Sequence, residues 1–221
     1  MKNIEILYED ESCLIINKPA GLAVQGGEGV KSSLDKILTE AYTPVLGSPP
    51  LLVHRLDKDT SGVILTAKTK EAAARFSGLL ADGKKVKKQY IAVCAGNPEK
   101  KEGVITHELF IRGCKKKSET RYKVLKSQAA AQQAAAAPPL ENGFSVLEIE
   151  LGTGRMHQIR RHLAMIGNPV LGDDKYGDFA LNKKLQKTLG LKRLLLHASR
   201  LVINNLDIQA PLPLYFQDFI S

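Results

Sequence analysis

His54-Arg55-Leu56-Asp57-Lys58-Asp59-Thr60-Ser61-Gly62-Val63-Ile64-Leu65-Thr66 joins a charge-dense turn to a run that is apolar at consecutive positions. Such a run is what a strand buried on both faces presents, so the turn is delivered from a well-covered sheet. An Asp two residues from an Arg, in a turn feeding a buried strand, is the arrangement from which chemistry is most readily built.

Outward from this stretch, residues 4–7 and 13–17 read as strands on either side of the acidic turn Glu9-Asp10-Glu11. Lys18-Pro19-Ala20-Gly21 and Gly26-Gly27-Glu28-Gly29 mark loops. Leu34, Ile37, Leu38 and Ala41 follow helical spacing behind Ser33, a candidate N-cap, and 44–50 is a loop bounded by prolines. Thr69 caps a second helix bearing Ala72, Ala73, Phe76, Leu79 and Leu80 and closed by Gly83. Strands are expected over 86–94, 104–109, 119–125, 144–151 and 194–203. One helix carries Met156, Ile159, Leu163 and Ile166 on one face, and a short one carries Leu181, Leu185 and Leu189 and ends at Gly190. Several connections are too short for a parallel crossover. The expected class is therefore α+β, with a mixed, mainly antiparallel central sheet and flanking helices. Residues 128–139 stand apart, with seven Ala, three Gln and two Pro and no amphipathic face. They read as a poorly ordered insertion in a hairpin, placed within 127–143.

Composition narrows the function classes. The chain of 221 residues has 32 Lys+Arg against 23 Asp+Glu, a formal charge of +9. Residues 1–60 hold 6 basic and 9 acidic side chains, net −3, and residues 61–221 hold 26 and 14, net +12. Basic clusters occur at Lys84-Lys85-Val86-Lys87-Lys88, at Arg112 with Lys115-Lys116-Lys117, at Arg155/Arg160/Arg161, and at Lys183-Lys184 through Arg193. Blocks of this kind suit a polyanion, and equally a solvated surface. No apolar run approaches the ~18 residues of a membrane helix, and the N-terminus lacks a signal-peptide layout. Cys13, Cys94 and Cys114 are widely spaced and form no C-x-x-C pair, which excludes a disulfide scaffold and argues against a zinc ribbon. A soluble, cytoplasmic protein is expected.

Metal and nucleotide motifs fail on their own requirements. Asp57, Asp59, Ser61 and Gly62 match the start of a calcium loop, but Lys68 stands where its bidentate carboxylate belongs. His157 and His162, five apart, point about 140° from each other on a helix. Gly26-Gly27-Glu28-Gly29 and Gly152-Thr153-Gly154 fit neither nucleotide fingerprint, and no Ser lies in a nucleophile elbow. No cofactor and no metal are expected.

The stretch HRLDKDTSGVILTAKT, residues 54–69, resembles the catalytic signature of the RluA-type family of RNA pseudouridine synthases. Residues 15–22 (IINKPAGL) resemble the family's opening strand and loop, and 88–92 (KQYIA) its tyrosine strand. Residues 154–162 (GRMHQIRRH) resemble its arginine helix, followed by GNPVLGD at 167–173 and KYG at 175–177. LLLHA at 194–198 and APLP at 210–213 complete the series. These blocks come in the family's order and cover nearly the whole chain outside the insertion. The resemblance implies one catalytic domain over residues 1–221, a cleft across the sheet, and RNA, ribosomal or transfer, as partner. It implies no nucleotide cofactor and no membrane; a monomer is the default.

The implied reaction breaks C1′–N1 of a uridine, turns the base, joins C1′ to C5 and releases the C5 proton. It is an isomerisation, so no redox or group-transfer cofactor is called for. The resemblance assigns the essential carboxylate to Asp57, acting as nucleophile or base, with Arg160 as the cation that holds it ionised. Tyr90 would stack on the uracil and assist C5 deprotonation. Arg55 would fill the gap left by an extruded base. Arg155, His157 and Lys88 are candidate substrate-binding or loop-bracing groups, and Leu196 a candidate apolar floor of the uracil pocket. His54, His162 and His197 read as structural hydrogen bonders.

Three features depart from the family pattern. The chain is expected to start directly at the catalytic domain, without the small N-terminal RNA-binding domain that many members carry. The loop Ala23-Val24-Gln25-Gly26-Gly27 differs from the family's, and the insertion has no counterpart. A rival from another class is a non-catalytic RNA-binding or RNA-folding module on the same fold. A glycosidase using Asp57 and Asp59 is disfavoured, since alternate residues of one turn do not flank a scissile bond.

Overall fold

In chain order the first elements are β1 (Glu5–Glu9), β2 (Cys13–Lys18), α1 (Leu34–Leu46), β3 (Leu51–Leu52), β4 (Ser61–Ala67), α2 (Lys70–Asp82) and β5 (Val86–Ala95). Next come β6 (Glu102–Ile105), β7 (Leu109–Ile111), β8 (Cys114–Lys116), β9 (Thr120–Gln128) and β10 (Phe144–Leu151). The last are α3 (Gln158–Met165), α4 (Phe179–Leu189), β11 (Leu196–Ile203), β12 (Leu206–Gln209) and α5 (Gln217–Ile220). The computed structural model describes residues 4–111, 113–128, 140 and 142–220. Arg112 and most of the Ala/Gln/Pro-rich insertion, residues 129–139, lie outside the described residues. The chain divides into two compact units, Met1–Lys88 with Ala198–Pro211, and Gln89–His197 with Leu212–Ser221.

In the first unit β2 pairs antiparallel with β1 and with β4. β3 also pairs with β4, and β12 with β11. Every residue of β4 is buried, as its unbroken apolar run requires. Cys13, Ile15, Val63, Leu65 and Ala67 share one core with Leu201 and Ile203. Ala72 and Phe76 of α2 cover it. The alternate residues Leu14, Ile16 and Ile64 are equally buried. Thr69 caps α2, its side chain accepting the Ala72 N–H at 3.1 Å, and Gly83 ends it in the left-handed region.

In the second unit β5, β10, β9 and β6 form an antiparallel run, and β7 and β8 make a separate hairpin. Val93, Cys94, Leu147 and Ile149 are buried at its centre. Phe144 meets Phe219 of α5 edge-to-face at 5.3 Å. Helices on mostly antiparallel strands match the α+β class read from the sequence.

Three local expectations need correction. α1 runs on to Leu46 through Pro44, because a proline in a last turn forfeits one hydrogen bond and Gly47 N–H still closes the turn on Thr43 O at 2.9 Å. Ser33 occupies the N-cap position of α1 without capping it: its hydroxyl bonds Asp35, and the Leu34 and Asp35 N–H groups donate to Ala23 O and Val24 O. The expected 104–109 strand is broken into β6 and β7.

Gly62 has φ +110°, and a Cβ there would lie 2.1 Å from Ala198 O, in the first unit. Backbone against backbone cannot relax cheaply. Gly62→Ala should cost roughly 3 kcal/mol or more, a fall in Tm on the order of 10 °C by thermal unfolding.

Candidate active site

The turn carrying Asp57 links β3 to β4, and its path is set by buried polar anchors. Asp57 O accepts the Thr60 N–H at 3.2 Å, closing the turn, and Lys58 O accepts the Gly21 N–H at 2.9 Å. Lys18 ends β2 with its side chain fully buried. Its Nζ donates to the carbonyls of Pro19 (3.0 Å), Leu22 (2.8 Å) and Lys58 (2.9 Å). An ammonium has three hydrogens, and here three carbonyls take them. Burial pulls the Lys18 pKa down to about 8, against the opposing pull of the Asp59 and Asp57 carboxylates. One buried cation thus ties the Lys18–Leu22 loop to the catalytic-type turn and adds positive charge beside its two carboxylates.

His54 Nε2 accepts the Leu65 N–H at 2.9 Å, a role open only to the unprotonated nitrogen. Burial, reinforced by the Lys88 cation, pushes the His54 pKa down to about 4. Lys88 itself is half-buried and titrates below the ordinary lysine range through desolvation. Asp57 and Asp59 are half-buried, and Arg55 is exposed.

In the second unit α3 presents Arg160, which is 4% exposed. Its Nε and Nη2 donate to the two oxygens of Asp173, each at 2.7 Å, a bidentate fork. Nη2 also reaches Asp174 at 3.2 Å. Asp173 further accepts the N–H groups of Lys175 and Tyr176, both at 2.9 Å. Burial raises its pKa, but Arg160 and these N–H donors outweigh it and hold the carboxyl below the usual range. Asn182 of α4 grips the same turn, accepting the Gly172 N–H at 2.9 Å and donating to Asp173 O at 2.8 Å.

The start of α3 is pinned by Gln158. Its Oε1 accepts from Thr153 Oγ1 (2.7 Å) and Arg155 N–H (3.0 Å), and its Nε2 donates to Glu119 O (2.8 Å) and Thr120 Oγ1 (3.0 Å). His157 precedes it at φ +52°, a left-handed conformation, with Nδ1 3.0 Å from the Tyr176 hydroxyl. Arg160 lies over the Tyr176 ring at 5.3 Å. His162 Nδ1 is 2.9 Å from Thr120 Oγ1, and its Nε2 is 2.9 Å from Ser118 Oγ and 3.0 Å from His107 O. Met156 precedes α3 and is 56% exposed, so the helix buries Gln158, Arg160 and His162 beside Ile159 and Leu163 rather than a purely apolar face.

The structure places Arg55, Asp57 and Lys88 in the first unit, and Tyr90, Arg155, His157, Arg160 and Leu196 in the second. Tyr90 is buried on β5, opposite Ile149 of β10, and Leu196 is buried at the start of β11. Arg155 is exposed, with Nε 3.4 Å from Lys117 O. His157 and Tyr176 join Arg160 around Asp173. Lys18, Asp173, Asn182 and Gln158 are structural members that the sequence reading did not single out by role. A lysine closing an otherwise apolar strand was the available signal for the first of them.

A buried cation under an acidic turn, and an arginine helix locked by an acidic loop, are two ways of holding charge at a fixed place, as an enzyme must. The model of the RNA pseudouridylate synthase family matches residues 12–165. The chain is 36% identical over 231 aligned residues to ribosomal large subunit pseudouridine synthase C of Rickettsia felis, covering 96% of this chain and 69% of that protein. It is 32% identical to the protein of that name from Vibrio cholerae, covering 98% and 68%. Among solved structures, human RNA pseudouridylate synthase domain containing 4 superposes with a TM-score of 0.76 at 27% identity, covering 97% of this chain and 90% of that one. The chain belongs to the RNA pseudouridylate synthase family, of the RluA type, whose members are isomerases.

Lys18→Met keeps the apolar stem and strips three buried carbonyls of their donor, a loss of roughly 3 kcal/mol or more in urea denaturation. The pH dependence has a definite sign. Native Lys18 releases its proton near pH 8, against 10.5 for an ordinary lysine. Between those values the unfolded chain binds more protons, so this group's contribution to stability rises with pH; below pH 8 the burial penalty stands in full. The gap in stability between the native chain and Lys18→Met should therefore widen from pH 7 to pH 9.5, by about 2 kcal/mol over its value at pH 7.

Proposed function

We propose that this chain, acting as one catalytic domain, converts uridine to pseudouridine in ribosomal RNA, with Asp57 as the essential carboxylate. The observation that carries this reading is the family match over residues 12–165, which takes in Asp57, Tyr90 and Arg160 together. The printed names of the bacterial relatives favour large-subunit ribosomal RNA over transfer RNA as substrate. A monomeric cytoplasmic enzyme working without a nucleotide cofactor is part of the same proposal.

The roles follow from what each group offers. Asp57 acts on the uridine as nucleophile or base while C1′–N1 breaks, the base turns, and C1′–C5 forms. N1 gains a proton as C5 loses one, so the product is an isomer of the substrate. Arg160 supplies the positive charge that orients the Asp57 carboxylate. Its Nε and Nη2 bond both oxygens of Asp173, which fixes the plane of the guanidinium. Tyr90 lies against the uracil and helps remove the C5 proton, and Leu196 forms the apolar floor. Arg55 replaces the extruded base in the stack, and Lys88, Arg155 and His157 take phosphates or brace the loops around them.

Tritium release from RNA labelled at uridine C5 reads this chemistry whichever uridine is the target. The native chain should release tritium from ribosomal RNA of a strain lacking the enzyme, and Asp57→Ala should release none above background. Tyr90→Phe should keep binding and lower turnover by ~10²-fold or more, as for loss of a general base. Full release by Asp57→Ala would overturn the assignment. Absence of release from unmodified RNA by the native chain, with binding retained, would favour the binding-module reading.

A further inference from the structure

The β7–β8 hairpin lies outside the main run of strands and exposes one aromatic ring. Phe110 on β7 is 59% exposed, and all three residues of β8 are exposed. The register sets Phe110 directly opposite Lys115, whose Nζ lies 6.0 Å from the ring centroid. Lys116 and Lys117 follow in the chain. Arg161 Nη1 donates to Phe110 O at 3.1 Å, fastening the hairpin to α3 beside Arg160. Arg155 is fastened to the other strand's end through Lys117 O. Ser118 Oγ and His162 meet at His107 O, closing the hairpin's base. The acidic neighbours are Glu108, ahead of β7, and Glu119, which Arg121 holds at 2.8 Å.

An exposed ring with Lys115 beside it, on a hairpin that also carries Lys116 and Lys117 and is held by Arg155 and Arg161, has the two components of a single-strand nucleic-acid site. The ring offers a π-face that any base can stack on, and the cations offer phosphate contacts. A solubilising surface explains the lysines; what sets this hairpin apart is that the exposed ring of Phe110 sits directly opposite one of them, with two more following in the chain. We propose that this hairpin is a base-stacking arm: Phe110 stacks on an unpaired base of the RNA, and Lys115 with its neighbours holds the adjoining phosphates. The inference rests on the RNA-modifying reading for its partner. It adds a binding site distinct from the group that performs the chemistry, one tied through Arg161 to the helix that carries Arg160.

The test uses binding alone, so it stands apart from turnover. Fluorescence anisotropy of the full chain in the Asp57→Ala background is measured with labelled oligouridylate and with an abasic ribose-phosphate strand of the same length. Phe110→Leu should weaken oligouridylate binding by roughly 5- to 150-fold, the range for loss of one stacked base, and leave the abasic strand unaffected. Phe110→Tyr, which keeps the ring, should restore the loss. Lys115→Gln should weaken both strands alike and lower the salt slope by about one. Unchanged melting of each variant separates these effects from misfolding. Equal binding by Phe110→Leu and its parent overturns the proposal, as does an equal loss on both strands. Conversion of a dimer to a monomer by Phe110→Leu, with RNA affinity unchanged, would assign the ring to a second copy of this chain and overturn it too.

Discussion

A primary ammonium sealed from water survives only when each of its hydrogens meets an acceptor, and Lys18 meets that demand with backbone carbonyls alone. Carbonyls have no rotamers, so the contact sets the course of two chain segments rather than the pose of two side chains. The loop after β2 must fold back to offer Pro19 and Leu22, and the turn before β4 must offer Lys58. Asp57 lies one residue from that last carbonyl. Its location is thus a consequence of satisfying a charge 39 residues back in sequence, with Gly62 then letting β4 pass where a side chain would strike Ala198.

The second unit uses the opposite device. There a buried carboxylate, Asp173, is the hub, and Arg160, Lys175 and Tyr176 supply donors to it. A fork of two parallel bonds fixes the guanidinium plane as well as its position, which a lysine in its place would not do. Asn182 makes this hub depend on α4, a helix whose one buried residue is Leu185. Phe179–Leu189 is therefore held at its start by polar contacts and in its middle by a single leucine.

The sequence was most legible where periodicity and end signals agree. The unbroken apolar residues of β2 and β4, the Thr69 cap and the Gly83 and Gly190 stops all fall where the pattern puts them. It was least legible where backbone groups do the work. Leu34 and Asp35 are capped by carbonyls of the loop at 23–24, so Ser33 carries the cap's sequence signature without its bond. β7 and β8 are three residues each, too short for alternation to register, and their turn relies on Gly113 at φ +79°. The resemblance picked out the blocks around Asp57, Tyr90 and Arg160. It did not reveal what braces them, because Asp173 in a loop and Lys18 before a proline carry no periodic signal, and their partners lie far along the chain.

His162 has a further implication. His107 O only accepts, so the His162 nitrogen facing it, Nε2, must carry the hydrogen, and Nδ1 must then accept from the Thr120 hydroxyl. That hydroxyl accepts in turn from Gln158 Nε2. Burial, the largest influence on this imidazole, holds its pKa below the ordinary value. The bonds therefore run in one direction, from the Gln158 amide through Thr120 and His162 to the carbonyl before β7, with no step able to reverse alone. A chain so ordered gives a single tautomer, its imidazole proton sealed from water between α3 and the carbonyl that leads into the hairpin.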